Sequence, residues 1–231
     1  MDERSDEYNW GPTFVKEHGK WLYMPISDSF RWFTLIRKVT ARIDLMTFME
    51  GTNVRLRRAD PNDADARFAL GTDIDIVKMF GVSAADAKPL TKQAAEQWAM
   101  GGANNPIAWV IEVEGRLIGE IKLHSINTQD RRASMAIGIY DLQRLGKGFG
   151  TEAIYLLLRH AFTELNLHRV GIRVLAFNQR AIRAYAKCGF KVEGRERETA
   201  YVDGEWHDDI MMGLLATEYS AMQDLIIDSD H

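Results

Sequence analysis

Nine residues, Leu145-Gly146-Lys147-Gly148-Phe149-Gly150-Thr151-Glu152-Ala153, constrain this chain more than any other stretch. Alternate glycines strip the side chains from one short turn, so the backbone can fold tightly and a ligand can approach its bare amides. Behind the turn, Ile154, Leu157, Leu158, Ala161, Phe162 and Leu165 recur at three- and four-residue spacing, which predicts a helix with one apolar stripe. The glycines then sit on the helix's first turn, where amides without intrahelical partners and aligned peptide dipoles favour an anion. Phosphate is the natural guest.

Spacing excludes two common phosphate loops. The dinucleotide fingerprint G-x-G-x-x-G fails because Thr151 stands three residues after Gly148, and no acid follows near position 170, where the chain reads His168-Arg169-Val170. The loop of nucleotide triphosphatases, G-x-x-x-x-G-K-[ST], fails because Lys147 lies between glycines. What remains is an x-x-G-x-G turn that enters a helix after an apolar strand. A second motif lies downstream: an apolar strand, 168–177, leads into Asn178-Gln179-Arg180-Ala181-Ile182-Arg183-Ala184-Tyr185-Ala186-Lys187-Cys188-Gly189-Phe190, the pattern N-x-x-A-I-x-x-Y-x-x-x-G-F.

The two segments together resemble the GNAT N-acetyltransferase superfamily, in the branch that includes ribosomal-protein-alanine, diamine and aminoglycoside N-acetyltransferases. The resemblance implies an α/β (α+β) fold with a mixed, mostly antiparallel sheet of six to seven strands, split between strands four and five and flanked by helices. It implies acetyl-CoA as cosubstrate and no metal. It assigns Leu145, Gly146, Lys147, Gly148, Phe149, Gly150 and Thr151 to the coenzyme A diphosphate. The resemblance also places Ile137, Gly138 and Ile139 beside the acyl group, Asn178 and Ala181 along the pantetheine arm and Tyr185 near the thioester sulfur. Leu145 stands where many members carry Gln or Arg, with Gln143 and Arg144 displaced by one or two positions.

Direct transfer of an acetyl group needs a neutral amine, a polarised carbonyl and a proton for the departing thiolate. The resemblance gives the last task to Tyr185, the alternative being a core tyrosine on the helix stripe. A backbone amide near Ile137 to Ile139 polarises the carbonyl in the family. Glu120, on a strand where Ile118, Glu120, Lys122 and His124 share one face, is the candidate base, with an outward-facing strand glutamate as its alternative. Asp141 and His124 are weaker choices, since the first can simply begin a turn and the second can be a satisfied surface histidine. Cys188 reads as a packing residue.

Along the chain, residues 1–52 form an aromatic-rich extension, with Trp10, Phe14, Trp21, Tyr23, Phe30, Trp32, Phe33 and Phe48, which argues against a disordered tail. It packs on the core, forms a dimer surface, or walls the acceptor site; a helix is expected over 29–49. Residues 53–217 hold the acetyltransferase domain and 218–231 an acidic C-terminal tail. Within the domain the patterns predict a strand at 53–59 and a helix capped by Asp60 with Pro61 in its first position, in a helical region that continues through Phe68 and Ile76 to Phe80. A helix over 91–100, ended by the Gly101–Pro106 stretch, precedes strands at 107–113, 116–126 and 132–140. A strand to about 198, a turn at Asp203-Gly204 and a closing strand at 207–215 complete it.

A net charge of −4 gives no general attraction to nucleic acid or an anionic membrane, so neither is expected as a partner. The lone Cys188, the acidic N-terminus and the lack of a long apolar run point to the cytoplasm. Asp63, Asp65, Asp73, Asp75 and Asp86 around the acceptor rim suit a cationic partner. Acetyl transfer to a primary amine is therefore expected, a small amine or aminoglycoside-like acceptor ahead of a protein N-terminus, with a homodimer allowed. A catalytically silent acyl-CoA-binding module is the alternative from another class.

Overall fold

The computed structural model describes residues 48–229 and two strands further upstream, β1 (Phe14–Glu17) and β2 (Lys20–Tyr23), which pair antiparallel with each other. The helix expected over 29–49 lies outside the described residues except at its end, and there Phe48–Glu50 form a strand instead.

Eight strands make one sheet in the order β3-β4-β5-β6-β7-β8-β10-β9, one more than the six to seven expected. The added member is β3 (Phe48–Glu50), which reaches the sheet because Gly51 donates its amide to the Val54 carbonyl and turns the chain back along β4 (Val54–Arg57). The sheet thus starts N-terminal to residue 53. β5 (Ala108–Val113), β6 (Arg116–Asn127) and β7 (Arg132–Ile139) follow as an antiparallel meander. The β5–β6 turn is Glu114-Gly115, both residues left-handed, a pairing that matches strand twist in a two-residue hairpin. On the far side β8 (Arg169–Leu175) pairs antiparallel with β10 (Glu205–Leu215), and β10 with the edge strand β9 (Lys191–Val202). β9 runs past the expected end near 198 because β10 pairs with it as far as the Asp203-Gly204 turn.

β7 and β8 are parallel and meet only at Arg132–Arg169, Ala133–Val170 and Ser134–Gly171. From Met135 to Ile139 the β7 backbone still pairs with β6 but has no β8 partner. This is the expected split of the sheet.

The helices differ from expectation at their ends. α1 (Asp63–Leu70) starts later than Pro61, because Asp60-Pro61-Asn62 form a turn in which Asp60 accepts from the Asn62 amide. Asp63 then donates its amide to the Asp60 carbonyl and accepts from the Asp60 amide. Gly71 ends α1, and Asp73 caps a separate short helix, α2 (Ile74–Lys78), by accepting from the Ile76 amide. α3 (Lys92–Ala103), capped by Thr91, continues through Gly101-Gly102, since Gly102 packs against the Ala59 methyl where a longer side chain would collide. α4 (Phe149–Arg159) passes into a π-helical turn at His160–Glu164. α5 (Gln179–Lys187) lies between β8 and β9, and α6 (Ala216–Ser229) is helical where a tail was expected. Its start is fixed by Glu218, which accepts from the Leu215 amide and pairs with Lys191.

The core lies between the sheet and α4, with Ile154, Leu157 and Leu158 packed against Ile121, Leu123, Val170 and Leu214. Two groups of polar contacts fix the frame. Arg57 forks onto both oxygens of Asp63 at 2.8 and 2.7 Å and donates to Glu112 at 2.6 Å, which ties α1 to β4 and β5. Glu152, in the first turn of α4, accepts from the amides of Asn53 and Val54 at 2.7 and 3.1 Å. Burial opposes its ionisation, but these amides outweigh that and hold the carboxyl below its usual range.

Gly119 in β6 is a point of close approach, because a Cβ there would run into the carbonyl oxygen of its β7 neighbour Gly138. Gly119→Ala is expected to cost about 2 kcal/mol or more in urea unfolding. Gly194→Ala on the edge strand, with open space around it, is expected to shift stability by no more than about 0.5 kcal/mol.

Candidate functional site

The glycine turn is where the sequence put it. Asp141 caps a short 3-10 turn, Leu142–Arg144, by accepting from the Gln143 amide, and the chain then reaches the loop through an extended Leu145. This assigns Asp141 a turn-forming role. Gly146 and Gly148 adopt φ of 73° and 89°, conformations that side chains disfavour, and Gly148 is the residue that opens α4 without any side-chain cap. Added Cβ atoms at both positions would meet nothing within 4 Å among the described residues. The glycines are thus required by backbone shape and leave an open surface.

Gly146, Lys147 and Gly148 are exposed, and the first intrahelical bond of α4 runs from the Glu152 amide to the Gly148 carbonyl. The amides of Phe149, Gly150 and Thr151 therefore have no acceptor among the described residues. Glu152 would ordinarily compete for them, but its carboxylate is held away by Asn53 and Val54. Arg144, doubtful from sequence, pairs with Glu114 at 2.9 Å and lies near Asp141. The donors left at the turn are the neutral amides of the cradle and the Lys147 ammonium, a set that fits a diphosphate.

The cradle adjoins the split in the sheet. A Cβ on Gly150 would stand 3.9 Å from Ile139 and 4.0 Å from Ile137, both on the unpaired half of β7. Asn178 is buried and caps α5, its side chain accepting from the Ala181 amide at 3.1 Å, so both residues take part in the helix start. Tyr185, on the same helix, is buried with its ring edge-on to Phe190. Burial, with Cys188 adding to it, pushes the Tyr185 hydroxyl well above the ordinary phenol range, so it holds its proton at any working pH.

On the opposite face of β7 is a second group. Glu120 pairs across the ladder with Gly138 and accepts from the Trp98 indole N–H at 2.5 Å and from Lys122 at 3.4 Å. Tyr140 is beside Glu120; burial first, and then the charge of this carboxylate, raise the pKa of its hydroxyl. The Arg67 guanidinium lies 4.1 Å from the Tyr140 ring centre, and the Phe80 ring stands over Gly138. Glu120 is therefore not a strand glutamate that simply faces solvent. It is the centre of a polar and aromatic wall. Sequence reading missed the tie between Trp98 and Glu120. The available signal was the alternation that puts Glu120 and Gly138 on one face, with Tyr140 two residues on.

One expectation needs correction. Asp63 and Asp73 are not rim charges for a cation, because Asp63 is buried against Arg57 and Asp73 caps α2. His124 contacts Ser125, and burial, then Lys122, lower its pKa. Cys188 is fully buried and packed against the Thr151 carbonyl, and burial pushes its thiol up to about 12.

Comparison with known proteins points the same way. Residues 53–191 match the family model of the acetyltransferase (GNAT) domain. Over 113 residues the chain is 34% identical to spermidine N(1)-acetyltransferase of Escherichia coli (strain K12), across 49% of this chain and 60% of that protein. The chain thus spans about three fifths of the length of the first curated relatives that it matches. It is 28% identical over 171 residues to the uncharacterized N-acetyltransferase p20 of Bacillus licheniformis, across 71% of this chain and 94% of that one. Among solved structures, spermidine N-acetyltransferase from Vibrio cholerae in complex with CoA and spermine superposes with a TM-score of 0.63 at 26% identity, over 73% of this chain and 99% of that chain.

The buried state of Cys188, the only cysteine, has a direct readout. At about pH 8 an aromatic disulfide reagent should titrate no thiol in the folded protein and one per chain in denaturant. Rapid titration without denaturant would contradict the packing.

Proposed function

The chain belongs to the GNAT acetyltransferase family, and on that premise we propose that it moves an acetyl group from acetyl-CoA to a primary amine by direct attack on the thioester. The observation that carries this reading is the open amide cradle of 146–151 beside the unpaired half of β7. A small alkyl amine or aminoglycoside-like acceptor is favoured over a protein N-terminus, because Glu120 offers a carboxylate within an aromatic wall that suits a compact cation. The relatives named for spermidine support the same class. The reducing environment suggested by a lone cysteine fits the cytoplasm. Among the described residues no helix is long and apolar enough to cross a membrane.

In this reading each residue has a task. The Gly146, Gly148, Phe149, Gly150 and Thr151 amides and Lys147 hold the diphosphate, with Leu145 shaping the entry. Asn178 and Ala181 border the pantetheine arm, and the backbone of Ile137, Gly138 and Ile139 lines the acyl end and supplies the donor that polarises the carbonyl. Glu120 orients the acceptor ammonium and takes its proton through water, since Trp98 and Lys122 already donate to its two oxygens. Tyr185, kept protonated by burial, gives its proton to the departing thiolate.

Purified protein with acetyl-CoA and a panel of spermidine, putrescine, an aminoglycoside and an alanine-initiated peptide should release free thiol, fastest with the small amines. Turnover on the peptide alone would move the acceptor to a protein N-terminus, and CoA binding without any turnover would leave a silent binding module. Tyr185→Phe should lower kcat about 10²-fold while the calorimetric Kd for acetyl-CoA stays within about twofold. An unchanged kcat would remove the thiol-acid role.

A further inference from the structure

The segment after α2 crosses the mouth of the split sheet. At its start the Phe80 ring lies over Gly138 of β7, such that a Cβ there would be 2.9 Å from its Cζ. One residue on, a Cβ at Gly81 would stand 3.8 Å from Leu175 of β8. The segment therefore touches both strands on either side of the gap. Its outer end is held by Asp203 in the β9–β10 turn. The Asp203 carboxylate accepts from Lys78 Nζ at 2.6 Å and from the Ala84 amide at 2.7 Å, while the Asp203 amide donates to Ser83 Oγ at 2.9 Å. Both ends of the crossing are thus tied to one residue more than a hundred positions away in sequence.

We propose that Asp203 is a positioning residue for the acceptor: it latches residues 78–84 across the gap and so fixes Phe80 as the wall of the acceptor side at Gly138. The inference rests on the acetyl-transfer reading above. Phe80 is 52% exposed while its ring lies over Gly138, so one face of the ring is open to a ligand on the acceptor side. The cradle at 146–151 lies at the start of α4, whose buried side packs on the core, and none of the Asp203 contacts reaches it. Loss of the latch should therefore weaken the acceptor and spare acetyl-CoA. Asp203 has φ of 50°, a conformation that asparagine tolerates, so Asp203→Asn removes the charge without breaking the turn.

The test measures KM for spermidine and for acetyl-CoA in Asp203→Asn and in Lys78→Met, together with amide hydrogen exchange over 80–84. A latch predicts that both variants raise the spermidine KM about three- to tenfold, with the acetyl-CoA KM within about twofold. A merely electrostatic role predicts opposite signs, because removing Asp203's charge weakens attraction of a polycation and removing Lys78's strengthens it. Exchange over 80–84 should rise about threefold or more in both variants. A lowered spermidine KM in Lys78→Met, equal shifts in both KM values, or unchanged exchange would overturn the proposal. If the unmodified protein acetylates no amine in the panel, the acetyl-transfer reading fails, and the exchange data still report separately whether the latch exists.

Discussion

The parallel ladder between β7 and β8 stops after Ser134–Gly171, and the arrangement of the site follows from that early stop. Backbone groups removed from water need partners, so two strands can part inside a sheet only if each is held from its other side. Here β6 holds β7 and β10 holds β8 along their lengths. The close contact of Gly119 with Gly138 keeps β7 seated on β6 within the half that has no β8 partner. Beneath the gap α4 bridges the two halves, since Ile154, Leu157 and Leu158 belong to a core that includes Ile121 from one half and Val170 and Leu214 from the other. The helix that closes the core is thereby also the helix whose first amides open beside the gap.

Charge is distributed in keeping with this arrangement. A glutamate in the first turn of a helix usually satisfies amides of that turn. Glu152 instead turns to the Asn53 and Val54 amides, which anchors α4 to the start of β4 and leaves the helix's own amides open to an external anion. On the other face the Arg57–Asp63–Glu112 group pins α1, from which Arg67 reaches the Tyr140 ring. The wall around Glu120 is built from side chains that contact one another. Its members come from α1, α3, β6, the end of β7 and the segment after α2.

What the sequence disclosed was local in character. The glycine turn, the stripe of α4, the strand–helix pair ending in Asn178 and Tyr185, and the β5–β6 hairpin at Glu114-Gly115 each rest on spacing within a few residues, and each is present. Gly146 and Gly148 could be read because a positive φ leaves a residue-type signature. Errors arose where distant residues decide. Asp60 looked like a cap until Asp63 was engaged by Arg57, and Gly101-Gly102 looked like a stop until Gly102 met Ala59. Phe48–Glu50 became a strand through pairing with β4, and α6 is stabilised by Glu218 and by Tyr219 against Phe162. Glu120's partners, Trp98 and Tyr140, likewise lie on other elements, so a single strand's alternation could give its face but not its company.

The central claim is that one anion-binding cradle and one opened strand edge serve a single ligand. It is tested most directly by following backbone amide resonances while acetyl-CoA is titrated into the full chain. The account predicts that the amides of Gly146 to Thr151 and those of Met135 to Ile139 shift together along one saturation curve. Saturable binding that leaves both groups unmoved, or shifts the cradle without the β7 edge, would contradict it.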